Sequence, residues 1–201
     1  MENVHAGWRR KLMKYIADTV DFQLEEPTVV TLGKFDGRHR GHQKLLHTME
    51  ELKETLGYAT AIFTFSTAPL SLVTGEAATV ITTSEERRHN MEKMGIDYLV
   101  EYPFTDDVRK MDPSVFVKDI LVKRMRAKAM VVGPDCSFGY KGAGNVELLR
   151  TLSRELDFRL YVIEKEKDHR RDISSTYIRE ELSRGNVAKA NELLGEPYAI
   201  H

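Results

Sequence analysis

The sequence predicts an α/β domain built on a parallel sheet with helices on both faces. Two observations carry that prediction. Short β-branched, apolar runs alternate with runs of helical period almost throughout the chain. Neither an internal repeat nor a low-complexity linker interrupts them, so one domain is the economical reading. The chain has 201 residues, enough for one medium domain with a sizeable core.

The elements follow in order. Residues 1–12 look unlike the rest and read as a lead-in, either flexible or the trace of an upstream start; residues 13–201 form the domain. Thr28 to Leu32 reads as a buried strand ending at Gly33. Leu45, Met49, Leu52 and Leu56 then recur at helical spacing, and Gly57 closes that helix. Ala59 to Phe65 is a second strand. Thr83 to Met94 reads as a helix with Ser84 as its N-cap and Gly95 as its stop. Tyr98 to Glu101 is a short strand, and Pro113 opens a helix carrying Phe116, Ile120 and Leu121. Ala129 to Gly133 and Phe158 to Ile163 are further strands, separated by a helix marked by Leu149, Leu152 and Leu156. Two helices end the chain, one with Ile178 and Leu182, the other with Ala190, Leu193 and Leu194.

Composition narrows the function classes. With 30 basic and 31 acidic residues the net charge is −1, so no whole-chain basic excess points to nucleic acid. A single phosphate pocket would hardly move that total. No apolar run is long enough to span a bilayer, and no apolar stretch near the start serves as a signal peptide. Cys136 is the sole cysteine, which rules out an intramolecular disulfide and makes a reducing cytoplasm the simplest compartment. Neither G-x-G-x-x-G after a strand nor a P-loop occurs, so phosphate binding needs another device.

Two segments supply one. Gly33-Lys34-Phe35-Asp36-Gly37-Arg38-His39-Arg40-Gly41-His42-Gln43 lies between the first strand and a helix. His39 and His42 are three apart and share a face where that helix begins. Gly37 and Gly41 allow close backbone approach, and the helix N-terminus adds unpaired N–H groups. The combination suits a nucleotide triphosphate, with the histidines donating to phosphate oxygens. Paired zinc ligands are the competing reading, but no third and fourth ligand stands at a standard spacing. An isolated pair would also suit a plain surface, and the glycines and the strand-to-helix setting turn the balance. In the second segment, Ser174, Ser175 and Thr176 begin a helix and Arg179 follows a turn later. One hydroxyl suffices as a cap; three with an arginine exceed that need and suit phosphate oxygens.

These segments resemble the H-x-G-H and I-S-S-T-x-x-R motifs of the nucleotidylyltransferase superfamily. Within it, the chain resembles the adenylyltransferase module of prokaryotic FAD synthetase. The resemblance is carried by the Gly33–Gln43 string, by Pro103-Phe104-Thr105 ahead of Pro113 to Val117, by Val131 to Asp135 leading to Phe138-Gly139, and by Leu193 to Tyr198. It covers nearly everything from Met13 onward. It implies a Rossmann-like nucleotidylyltransferase fold, ATP and FMN as substrates, FAD and pyrophosphate as products, and Mg2+ carried with ATP. It implies that His39 and His42 act on the triphosphate, and that Ser175, Thr176 and Arg179, with Ser174 beside them, hold the leaving phosphates. Gly33, Lys34, Phe35, Asp36 and Gly37 would lie at the nucleotide. Phe65, Pro69, Asp135 and Phe138 would lie on the flavin side, with core packing as the alternative for Phe65 and Phe138. No resident metal ligand is implied.

Such modules are often fused to a C-terminal riboflavin kinase. The chain stops where that module would begin, as a one-domain form or a fragment, and is expected not to phosphorylate riboflavin. Three positions depart from the pattern: Lys34 for the usual Asn, Cys136 for an aromatic, and Asp172 where some members carry a base. Rival readings are a related transferase with another phosphorylated acceptor, a silent nucleotide-binding module, and an interaction domain. Nothing in the sequence fixes the oligomeric state.

Overall fold

A computed structural model describes residues 12–66 and 80–199. Six strands form one sheet: β1 (Lys14–Ala17), β2 (Thr28–Leu32), β3 (Ala59–Phe65), β4 (Tyr98–Tyr102), β5 (Ala127–Val132) and β6 (Arg159–Val162). Their spatial order is β1-β4-β3-β2-β5-β6, and every neighbouring pair runs parallel. The predicted parallel sheet is therefore the one observed. Its helices are α1 (Arg40–Leu56), α2 (Ser84–Lys93), α3 (Asp106–Arg109), α4 (Pro113–Val115), α5 (Val146–Leu156), α6 (Ser175–Ser183) and α7 (Val187–Leu194). A π-helical stretch, Phe116–Arg124, continues α4. Lys167–Asp168 (β7) and Arg171–Asp172 (β8) make a small antiparallel hairpin before α6.

The side-chain alternation of the strands loads both sheet faces. Val30, Phe63, Val100 and Met130 pack with Phe116, Ile120, Leu121, Leu149 and Leu152 on one face. Val29, Ile62, Leu99 and Val131 pack with Leu46, Met49 and Met91 on the other. Burial on both faces is why these strands read as continuous apolar runs. Each fully buried Leu or Met, such as Leu121 or Met49, contributes roughly 1.5–3 kcal/mol. A third cluster joins α6 and α7 through Ile173, Ile178, Ala190, Leu193 and Leu194, and also takes in Ile81.

Helix ends follow local chemistry, with one difference from expectation. α2 is capped by Thr83, not Ser84: the Thr83 hydroxyl accepts from the Glu86 N–H while the Glu86 carboxylate accepts from the Thr83 N–H. The glutamate at the third helical position selects Thr83, because only that spacing closes the reciprocal pair. Gly57 ends α1 in the left-handed conformation, as its lack of a side chain allows.

The topology fixes where a ligand binds. From β2 the chain winds outward to β3 and β4, then crosses back to lay β5 on the opposite side of β2. The switch point lies between β2 and β5, and the crevice at the carboxyl ends of such strands is where open α/β sheets take ligands. The segment from Gly33 follows β2 and the segment from Gly133 follows β5, so the two singled-out loops flank this crevice.

Candidate active site

The loop after β2 enters α1 through His39, which serves as the N-cap residue: its Nδ1 accepts from the His42 N–H at 3.3 Å. The two imidazoles stack with centroids 3.6 Å apart and planes 19° apart. A Cβ on Gly41 would sit 3.2 Å from the His39 ring, so glycine gives that ring its seat. The second ring is held by Gly37, whose carbonyl lies 3.0 Å from His42 Nδ1. A carbonyl only accepts, so that Nδ1 carries the proton.

The tautomers of the pair are therefore opposite. The proton of neutral His39 sits on Nε2, because its Nδ1 is an acceptor. The Nε2 of neutral His42 carries a lone pair. Burial, followed by the neighbouring His42, lowers the pKa of His39 to about 3. Burial likewise lowers that of His42 to about 4, against the opposing pull of the Gly37 carbonyl and Asp36. Both rings are neutral at pH 7. The expectation that both donate to phosphate is thus refined: His39 donates as it stands, while His42 donates from Nε2 only after taking up a proton. The charge of a bound phosphate favours that uptake.

The second segment folds against the first. Ser174 caps α6 by accepting from the Tyr177 N–H, which meets the expectation that one hydroxyl caps. Ser175 Oγ donates to the Asp36 carbonyl at 2.6 Å. Arg179 donates from Nη1 to Asp36 Oδ2 at 2.7 Å and from Nη2 to Thr176 Oγ1 at 3.3 Å. His39, His42, Ser175, Thr176 and Arg179 thus gather around the N-termini of α1 and α6. These are two helix starts with unpaired N–H groups and partial positive charge.

Other expected residues are placed less uniformly. Gly33 and Lys34 are exposed at the end of β2, and the Lys34 carbonyl accepts from Arg87. The Phe35 side chain is 1% exposed and packs 4.8 Å from the His42 ring, so it supports the histidine from the core rather than lining a nucleotide. Asp36 has both carboxylate oxygens engaged within the chain, by Arg179 and by the Ile81 and Thr82 N–H groups. Gly37 has φ 65° and donates its N–H to Thr82 Oγ1 at 3.1 Å. Phe65, at the end of β3, is half-buried and edge-on to Phe104 at 4.8 Å. Phe138 is buried against Phe116, which is the core alternative raised for it. Asp135 is exposed and pairs with Lys165 at 2.8 Å. Cys136 is half-buried, and burial pushes its thiol up to about 12, so it is an inert filler. Pro69 lies outside the described residues.

The structure adds residues that sequence reasoning passed over. Thr82 and Ile81 meet Asp36 through their backbone N–H groups, which leave no trace in side-chain pattern. Lys165 joins Asp135 to Asp172, tying the loop after β5 to the hairpin before α6. Arg38 pairs with Glu196, and the Gln43 amide donates to the Arg38 and Leu194 carbonyls, so α7 is bound to the first motif.

Comparison with known proteins agrees with this geometry. A family model described as FAD synthetase matches residues 21–177. A bifunctional riboflavin kinase/FMN adenylyltransferase of Escherichia coli K12 is 33% identical over 177 residues, 88% of this chain. The chain spans 56% of that relative's length. Among solved structures, one described as a macrolide-efflux protein from Streptococcus pneumoniae superposes with a TM-score of 0.81 at 27% identity, over 93% of this chain and 63% of that one. A pantoate-β-alanine ligase (pantothenate synthetase) from Thermus thermophilus superposes at 0.51 with 16% identity, over 90% and 81% of the two chains, a likeness of fold alone. Among the described residues no helix is long and apolar enough to cross a membrane. Motifs, fold and the length of the family match agree: the chain belongs to the FAD synthetase family.

Proposed function

We propose that this chain is an FMN adenylyltransferase, transferring AMP from ATP to FMN to give FAD and pyrophosphate. The observation that carries the reading is the convergence of His39, His42, Ser175, Thr176 and Arg179 on two helix N-termini at the switch point of the sheet. An FMN phosphate oxygen attacks the α-phosphorus in line, and the P–O bond to the pyrophosphate breaks. That nucleophile is already an anion, so the site has no need of a strong base. Catalysis comes from positioning and from stabilising charge on the α-phosphate and the leaving group.

The roles follow from placement. His39 donates its Nε2 proton without changing charge, and His42 becomes a second donor once protonated against the phosphates. Ser175, Thr176 and Arg179 serve the β- and γ-phosphates at the start of α6. Gly33, Lys34 and the backbone of Phe35 to Gly37 border the nucleotide. Phe65 offers an aromatic edge suited to an isoalloxazine ring. Mg2+ enters as part of the ATP substrate, held by phosphate oxygens; among the described residues no cluster of three His, Cys, Asp or Glu is placed to hold a metal. The cytoplasm, where ATP and FMN are available, is the proposed compartment.

Purified protein given FMN, ATP and Mg2+ is expected to form FAD and pyrophosphate, separated and quantified by chromatography. No FAD under conditions where the protein is folded and binds ATP would refute the acceptor assignment.

A further inference from the structure

Asp36 was expected to line the nucleotide, but every polar contact it makes points into the protein. Its side chain is 12% exposed. Oδ1 accepts from the Ile81 N–H at 2.7 Å and the Thr82 N–H at 3.1 Å. Oδ2 accepts from Arg179 at 2.7 Å, and the Asp36 carbonyl accepts from Ser175. A carboxylate this buried is tolerable only when so paired. Its partners come from separate stretches of chain: the segment entering α2, and the first turns of α6.

The contacts continue toward the chemistry. Gly37 returns a bond to Thr82, and its carbonyl then accepts from His42. A Cβ on Gly37 would lie 2.8 Å from Ile81, so the two strands of this contact are pressed together. One residue thus fixes the arginine of the second motif, while its neighbour fixes the second histidine of the first. Arg179 has five N–H donors, and its bonds to Asp36 and Thr176 leave others for a phosphate.

We propose that Asp36 is a positioning residue that sets the Arg179 guanidinium and the Gly37–His42 contact for the triphosphate, and that it makes no contact with adenosine. The proposal rests on the ATP site proposed above. Charge alone predicts the reverse effect on binding. The Asp36 carboxylate repels a triphosphate, so removing its charge would tighten ATP if orientation were unimportant. Positioning predicts weaker ATP, because Arg179 loses its anchor.

Calorimetric titration of ATP and of AMP into wild type, Asp36→Asn, Arg179→Ala and the double variant decides the matter. Asp36→Asn is expected to weaken ATP by on the order of tenfold and AMP by much less. The double variant is expected to bind ATP no more weakly than Arg179→Ala alone, the non-additivity of two residues acting as one. Unchanged or tighter ATP binding in Asp36→Asn, equal losses for ATP and AMP, or fully additive losses would each overturn the proposal. Asp36→Glu keeps the charge but displaces it, and carries the same ATP-against-AMP contrast if the asparagine variant does not fold. A wild type that binds no ATP would overturn the proposed function and the positioning role together; normal wild-type binding with an unselective Asp36 effect overturns the positioning role alone.

Discussion

At the scale of single residues, the stacked histidines divide a task that identical side chains might be thought to share. His39 holds its proton on Nε2 because its Nδ1 faces the His42 N–H; His42 holds its proton on Nδ1 because the Gly37 carbonyl requires it. Each is then suited to a different moment, a fixed neutral donor and a donor made by substrate charge. Replacing His42 with alanine is expected to lower turnover by roughly 10²–10³, the scale of one lost oxyanion donor. Replacing His39 is expected to cost a similar factor in turnover. It should also remove about 1 kcal/mol of stability, since the same ring caps α1. Steady-state kinetics and thermal melting of both variants check this. Near-normal turnover in either would remove that histidine from the chemistry. A melting temperature equally lowered in both would mean the cap at His39 has no separate energetic role.

Among the elements, α6 tests whether its hydroxyl run is a cap or a grip. The structure divides the labour: Ser174 caps, Ser175 ties α6 to Asp36, and Thr176 stands exposed with Arg179. Ser174→Ala is therefore expected to cost about 1 kcal/mol of stability and to leave ATP affinity nearly unchanged. Arg179→Ala is expected to weaken ATP by about 1.5–3 kcal/mol, the range for a hydrogen bond to a charged group, and AMP much less. Denaturant melts and paired titrations separate the two effects. A loss of ATP affinity in Ser174→Ala as large as in Arg179→Ala would merge the roles. The motif residues were legible because their chemistry is written in side chains at fixed spacing. The long strands and helices were legible because burial on both sheet faces leaves continuous apolar runs. β1 escaped notice because its four residues, Lys14–Ala17, sit at the sheet edge and are half or fully exposed, so no apolar run marks them. The hairpin of β7 and β8 is too short and too charged to show a period. Phe35 and Phe138 were placed in the site by motif position, whereas an aromatic ring near a pocket is as readily part of its floor. The inward role of Asp36 depends on backbone N–H groups of Ile81 and Thr82, which any residue types would supply.

For the molecule as a whole, topology and electrostatics meet at one place. The sheet reverses direction between β2 and β5, and the loops released there bring two helix N-termini together without any excess of basic side chains. Local N–H groups, Arg179 and neutral imidazoles serve where a generally basic protein would attract every anion. Neutral buried histidines carry a cost that appears with pH. In the fold, His39 and His42 hold pKa values of about 3 and about 4, below the ordinary value of 6.5. Between those limits the unfolded chain binds more protons than the folded one, so unfolding becomes easier as pH falls; above about pH 6.5 neither histidine has any effect. Asp97, whose carboxyl the Lys53 ammonium and the Thr60 donors hold low against the opposing cost of burial, acts in the same direction but only further into acid. The unfolding free energy is expected to drop between pH 7.5 and 5 by up to roughly 2 kcal/mol per histidine. Urea unfolding across that range measures the slope, and His42→Gln, which cannot titrate, is expected to flatten it by about half. A stability independent of pH in that window, or a slope untouched by His42→Gln, would mean that the imidazoles are not held neutral by the fold.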